Sequence, residues 1–108
     1  MNPEYGSTYY RITFADMNQT MPGIEPMVYV GLNIFSDENE DIYYFQDTTS
    51  VIRFGILDEA EETEEIKIMN CIKAEFGRTI VEIDQLPRIV TSALKKNKEL
   101  NNPVLKKS

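Results

Sequence analysis

The chain has 108 residues, 42% of them hydrophobic and 27% charged, which is the size and balance of one globular domain. Its apolar stretches are far shorter than the roughly 18 residues of a membrane span. No histidine and a single cysteine, Cys71, exclude an intrachain disulfide and the usual zinc clusters.

The charge is unevenly distributed along the chain, which has a net charge of −7. Positions 1–66 hold 14 acidic and two basic residues, a balance of −12, whereas positions 67–108 hold four acidic and nine basic residues, a balance of +5. This field opposes binding to nucleic acid or to an anionic membrane and favours a basic partner.

The opening residues lack the basic and apolar regions of a signal peptide, so we expect a cytoplasmic protein. Cys71 lies in an apolar segment and is predicted to be buried and inert.

The first half of the chain predicts three β-strands. Apolar side chains recur at every second position of residues 8–15, which is the period of a half-buried strand. Residues 18–26 contain two prolines and a glycine and are predicted to form a loop. Residues 27–35 carry apolar side chains on both faces, which predicts a central strand, and residues 42–46 alternate again. These two strands are expected to form a hairpin whose loop is the acidic stretch between them.

The second half is more ambiguous. Residues 47–55 begin with an aspartate that can cap a helix, but their β-branched residues favour a strand, so both structures stay open. A capping pattern and apolar residues three and four apart predict a helix over residues 58–76, although residues 66–72 also fit a strand. Residues 79–83 predict a further strand, and Asp84 is expected to cap an amphipathic helix.

Together these elements predict a single globular α+β domain over residues 1–100. An antiparallel sheet of three to five strands carries one or two helices packed on one face. Residues 101–108 are predicted to form a basic, flexible C-terminal tail.

Catalytic and metal-binding patterns are weak. Without histidine, a serine or cysteine nucleophile lacks its usual activator, and the acidic residues lie in solvated runs that do not raise proton affinity. Asp37, Asn39 and Asp41 match the first positions of a calcium-binding loop, but Ile42 and Thr48 stand where its glycine and glutamate belong. We therefore predict that the protein is not an enzyme and has no metal and no cofactor.

Ten acidic side chains lie within residues 37–41 and 58–65, far more than helix capping requires. Either solubility or a basic partner explains the surplus. Tyr43 and Tyr44 point to opposite faces of one strand, so part of this aromatic area is expected to be exposed unless both faces are covered. Aromatic rings beside carboxylates suit a partner rich in lysine and arginine, and both acidic segments are expected to converge, with tyrosine rings among them, into a single anionic docking face. The predicted partner-binding residues are Asp37, Glu38, Glu40, Asp41, Tyr43, Tyr44, Asp58, Glu59, Glu61, Glu62, Glu64 and Glu65.

These features predict a small acidic protein-binding module, in the simplest form an inhibitor that occludes the active site of a basic partner. Nucleic-acid enzymes suit such a module because their grooves must hold phosphates. Bacterial immunity proteins against nuclease toxins act in this way as a class, and the comparison is one of size and charge alone.

Two other functions compete with this hypothesis. The alternative is a structural or adaptor subunit that forms an obligate homo-oligomer through its sheet, with residues 27–35 as the contact. A third, nucleic-acid binding through the lysines of the C-terminal region, is opposed by the large negative charge of the remainder.

Overall fold

The computed structural model describes residues 2–34, 41–57 and 66–105, with side chains described through residue 100. The sheet has the strand order β4-β3-β2-β1-β5, and the strand pairs along it are antiparallel. In the described part of the chain, this five-stranded sheet and two helices confirm the predicted α+β class. In chain order the elements are β1 (Thr8–Phe14), β2 (Pro22–Leu32), β3 (Ile42–Asp47), α1 (Thr48–Phe54), β4 (Ile68–Ile72), β5 (Ile80–Val81) and α2 (Leu86–Leu105).

β2 is the central strand, as predicted, but it begins earlier than expected. Residues 22–26, predicted to be a loop, form its first half and pair with β1. Pro22 and Pro26 occupy non-hydrogen-bonded positions of the β1–β2 ladder, so their nitrogens point away from β1, toward the side of β2 on which β3 pairs. β3 does not extend alongside these prolines, because its last residue, Asp47, pairs with Met27. The prolines therefore remove no hydrogen bond from the sheet.

Residues 47–55, left open by the sequence, contain a helix. Asp47 is the N-cap of α1, and its carboxylate accepts a hydrogen bond from Ser50 N at 3.2 Å. Gly55 ends the helix with a φ of 85°, a left-handed conformation that glycine adopts without strain. The N-cap and the C-terminal glycine outweigh the strand preference of the β-branched residues between them.

The helix predicted over residues 58–76 is wrong in its second half, where Ile68–Ile72 forms β4. β4 pairs with β3 in uninterrupted register, from Ile68 opposite Gln46 to Ile72 opposite Ile42. The alternation that also fitted a strand is the correct pattern, because pairing with a buried strand gives these residues both hydrogen bonds and packing. The first half of the predicted helix, residues 58–65, lies outside the described residues.

The last strand and helix differ in length from the prediction. β5 is only Ile80–Val81, shorter than expected. α2 follows a 3₁₀ turn at Ile83–Gln85, so Asp84 lies one residue too early to be its N-cap. Leu86–Leu105 is helical, which places the predicted boundary of the 101–108 tail inside α2. Among the described residues, no helix combines the length and the apolarity needed to cross a membrane.

Side chains cover both faces of the sheet. On one face an aromatic cluster packs edge to face, with the ring centre of Tyr43 5.7 Å from that of Tyr29 and 5.6 Å from that of Phe76. On the other face Tyr44 packs with Val30 and Ile42. Adjacent residues of β3 thus enter two separate cores. The first core consists of Tyr9, Met27, Tyr29, Tyr43, Phe45, Cys71 and Ile80, with Met69 and Phe76 packed against it.

Candidate docking surface

The acidic loop, defined as residues 35–40, leaves the sheet at a base that is fixed by Asn33. Asn33 N donates to Ile42 O at 2.8 Å, and Ile42 N donates to Asn33 Oδ1 at 2.8 Å. Asn33 Nδ2 also donates to Asp41 Oδ1 at 3.1 Å. Asn33 has a φ of 53°, a left-handed conformation that asparagine tolerates better than most residues. These bonds fix the point at which the acidic loop begins and ends.

The acidic linker, defined as residues 58–65, is held at its start by Gln46. This side chain is fully buried, and its Oε1 accepts a hydrogen bond from Leu57 N at 2.7 Å. Its Nε2 donates to Ser50 Oγ and to Gly55 O, both at 3.1 Å. One buried amide therefore joins β3 to α1 and to the residue that precedes the acidic linker.

Asp47 holds the other end of the acidic linker. Asp47 N donates to Lys67 O at 3.0 Å, and Lys67 N donates to Asp47 Oδ1 at 3.3 Å. Burial alone would raise the pKa of Asp47, but hydrogen bonds from Ser50 and Lys67 and the charge of Lys67 outweigh it and hold the pKa below its ordinary value. The same carboxylate thus caps α1 and anchors the chain where it enters β4.

The two anchors lie at opposite ends of β3. Asn33 binds at Ile42, the first residue of the strand, whereas Gln46 and Asp47 are the last two. At 3.3 Å per residue, the two ends of this strand are about 17 Å apart. Both acidic segments are predicted to form one docking face, whereas the described residues that flank them are separated by the length of β3.

Of the ten predicted acidic residues, Asp41 is within the described part of the chain, and its side chain is exposed. The others lie outside the described residues: Asp37, Glu38, Glu40, Asp58, Glu59, Glu61, Glu62, Glu64 and Glu65.

The exposed aromatic area expected at Tyr43 and Tyr44 is not found. Their exposed fractions are 4% and 6%, because both faces of the sheet are covered. The Tyr43 hydroxyl donates to Asn2 Oδ1 at 3.1 Å, which ties the N-terminal segment to its face of the sheet. In the folded chain, these rings are core residues.

β4 is an edge strand of the sheet, and its outer edge lies between the two anchors. Hydrogen bonds to β3 involve the odd-numbered residues of this strand, so the even-numbered ones, Ile68, Asn70 and Ile72, direct N–H and C=O outward. The exposed residues Lys67 and Lys73 flank the edge, an arrangement that discourages edge-to-edge pairing. Because a helix was predicted over residues 58–76, the sequence did not indicate this edge strand.

The described residues include side chains of metal-ligating types and one thiol. No group of three or more histidine, cysteine, aspartate or glutamate side chains among them could hold a metal ion. Cys71 is buried, and its thiol donates to Ile72 O at 3.3 Å. Burial first, and then the charge of Glu75, raises the pKa of this thiol, which disfavours the reactive thiolate.

No family model, no curated protein and no solved structure matches this chain. The candidate function therefore depends on the chain's own charges and anchors.

Proposed function

We propose that this protein is a small acidic binding module whose acidic loop and acidic linker together dock a basic protein partner. What supports the proposal is the spacing of the anchors: nine carboxylates are concentrated in the acidic loop and the acidic linker, with Asp41 next to the loop, and these segments are tied to opposite ends of one strand. A rigid spacer of about 17 Å between two anionic segments suits a partner that presents positive charge over the same distance.

A nucleic-acid enzyme fits this requirement. Phosphates of one strand of a duplex recur about every 3.4 Å along the helix axis, so about 17 Å along that axis corresponds to roughly five phosphates of the backbone that such a groove holds. An acidic protein that occupies the groove excludes the substrate without any chemistry of its own. Inhibition of a basic nuclease, as in toxin immunity, is the proposed role.

The burial of Tyr43 and Tyr44 changes the expected character of the interface. With these rings in the core, charged contacts carry more of the binding than aromatic anchors do. Association should therefore be fast at low salt and should weaken as salt screens exposed charges.

The competing oligomer hypothesis is less well supported. It uses residues 27–35 as the contact, but Met27, Val28, Tyr29 and Val30 are buried inside the chain, so a partner has no access to these four side chains while the domain stays folded. Leu32 and Ile34, near the end of the segment, are exposed.

Charge reversal tests the proposal. The loop variant carries Glu38→Lys and Glu40→Lys, and the linker variant carries Glu61→Lys and Glu62→Lys. The control, Glu82→Lys with Glu99→Lys, makes the same change in net charge in the part of the chain that follows β5, outside both acidic segments. Affinity capture identifies proteins that bind the wild type, and titration of each purified partner measures its Kd.

We expect a partner with a net positive charge whose Kd rises at least about tenfold with the loop variant and with the linker variant. The control variant should bind as tightly as the wild type within a factor of about two. A partner that binds all four proteins equally, or one that is acidic, would overturn the proposal.

A further inference from the structure

Helix α2 has two apolar stripes, and its own domain covers only one of them. Leu86, Ile89 and Ala93 lie on the covered stripe, with Ala93 buried and the other two half-buried. Farther along the same side, Lys96 Nζ donates to Gln19 Oε1 at 3.0 Å. This side therefore faces the body of the domain.

The second stripe is Pro87, Val90 and Leu94, roughly 100° around the helix axis from the first. Val90 is 44% exposed and Leu94 is 53% exposed. Ile83, in the 3₁₀ turn just before the helix, is 64% exposed. An apolar row at spacings of three and four residues is the pattern by which a helix packs on a second helix. Within the described chain, no element covers this row.

The charges near the outer stripe differ between its two ends. Glu82 and Asp84 lie at the start, whereas Lys95 and Lys98 lie toward the end, and all but the half-buried Glu82 are exposed. A parallel pair of such helices would place lysine beside lysine. An antiparallel pair places the acidic start of one helix beside the basic end of the other, which is complementary at both ends.

We propose that α2 of this protein packs antiparallel against α2 of a second copy, through Pro87, Val90 and Leu94. In this arrangement Val90 lies beside its own counterpart, Leu94 lies over Pro87, and Asp84 lies near Lys98 of the second copy. A two-fold axis relates the copies, so the contact is self-complementary and closes at a dimer.

The size of this surface limits the stability of the dimer. Overlap of residues 83–98 gives a contact about 24 Å long, at the small end of specific interfaces. The dimer should therefore be in equilibrium with the monomer at micromolar concentrations. α2 follows β5, the edge strand of the sheet opposite β4, so the start of the dimer contact lies away from β4.

Sedimentation velocity over about 5 to about 500 µM tests the proposal. The wild type should shift from monomer to dimer across this range. Val90→Glu combined with Leu94→Glu should raise the dissociation constant at least about tenfold, because both carboxylates would be buried in the contact. Ile52→Glu is the control, because this α1 side chain is 84% exposed and lies off the stripe. A wild type that stays monomeric, or a control that shifts as much as the double variant, would overturn the inference.

Two further variants test the orientation without placing a charge in the stripe. With diamide as the added two-electron oxidant, the two thiols of Val90→Cys should form an intermolecular disulfide, whereas those of Leu94→Cys should not, because its two copies would lie about 10 Å apart along the axis. Asp84→Lys and Lys98→Glu should each weaken the dimer, and the two together should restore it. Cross-linking by Leu94→Cys alone, or no rescue in the combined variant, would contradict antiparallel packing.

Discussion

Replacing Gln46 with leucine should destabilise the domain far more than its position near the end of β3 suggests. The side chain is fully buried and makes three hydrogen bonds, to Ser50, Gly55 and Leu57. At about 1 kcal/mol each, their loss lowers the free energy of unfolding by about 3 kcal/mol. Leucine preserves most of the volume, so a cavity adds little. For a chain of this size, the unfolding entropy converts that loss to a decrease in Tm of about 13 °C.

Urea and thermal unfolding followed by circular dichroism measure this effect. Gln85→Leu serves as the control, because Gln85 is only half-buried and its bond to Arg88 is exposed. We expect the control to lose less than about 0.5 kcal/mol. If Gln46→Leu also loses less than about 1 kcal/mol, the buried amide does not hold α1 and the start of the acidic linker in the way the hydrogen bonds indicate.

Two further predictions concern the other anchors. Asn33→Ala should lower the free energy of unfolding by about 2 kcal/mol, because it removes the side-chain bonds at the loop base and strains a left-handed residue. Asn33→Gly, which tolerates that φ, should lose about half as much in the same urea titration, and equal losses would contradict the conformational part of the argument. Because the pKa of Asp47 is lowered in the folded protein, its ionised carboxylate contributes its full stabilisation at pH values above 3.8, the ordinary pKa of this group. This stabilisation is lost as the pH falls through the lowered pKa. The stability difference between the wild type and Asp47→Asn, measured by urea unfolding from pH 7 downward, should therefore be constant above this value and shrink below it; a difference that grows in acid would contradict the assignment.

The strands that alternate clearly could be predicted from the sequence. Residues 8–15 and 42–46 correspond to β1 and β3, and the apolar residues on both faces of 27–35 correctly indicated a central strand. The edges were harder. The prolines of β2 are compatible with a strand only because β3 ends before them, and the sequence does not show where a neighbouring strand ends.

β4 was misread for a related reason. Its isoleucines satisfy both a period of two and a spacing of four, so the local pattern cannot decide between strand and helix. Pairing with β3 decides it, and that partner lies more than 20 residues earlier in the chain. α1 is the opposite case, because a local signal decides its structure. Asp47 caps the helix by accepting a hydrogen bond from Ser50 N, and this outweighs the strand preference of the β-branched residues that follow it.

The candidate site was predictable in charge but not in arrangement. Composition located the two acidic segments, but it could not show that they are anchored at opposite ends of β3. The tyrosines were expected to be exposed because a strand has two faces, and they are buried because both faces carry a core. Asn33 and Gln46 were missed altogether. An asparagine next to a turn is a weak signal for a left-handed residue, and nothing local marks a glutamine that becomes fully buried.

The salt dependence of partner binding tests the central claim most directly. Calorimetry would measure the Kd of the captured partner from about 50 to about 300 mM NaCl for the wild type, the loop variant, the linker variant and their combination. If both acidic segments dock one basic surface, the wild-type Kd rises steadily with salt, each reversal reduces that dependence, and the combined variant binds most weakly. A wild-type Kd that does not change with salt and is the same in all four proteins would contradict the account.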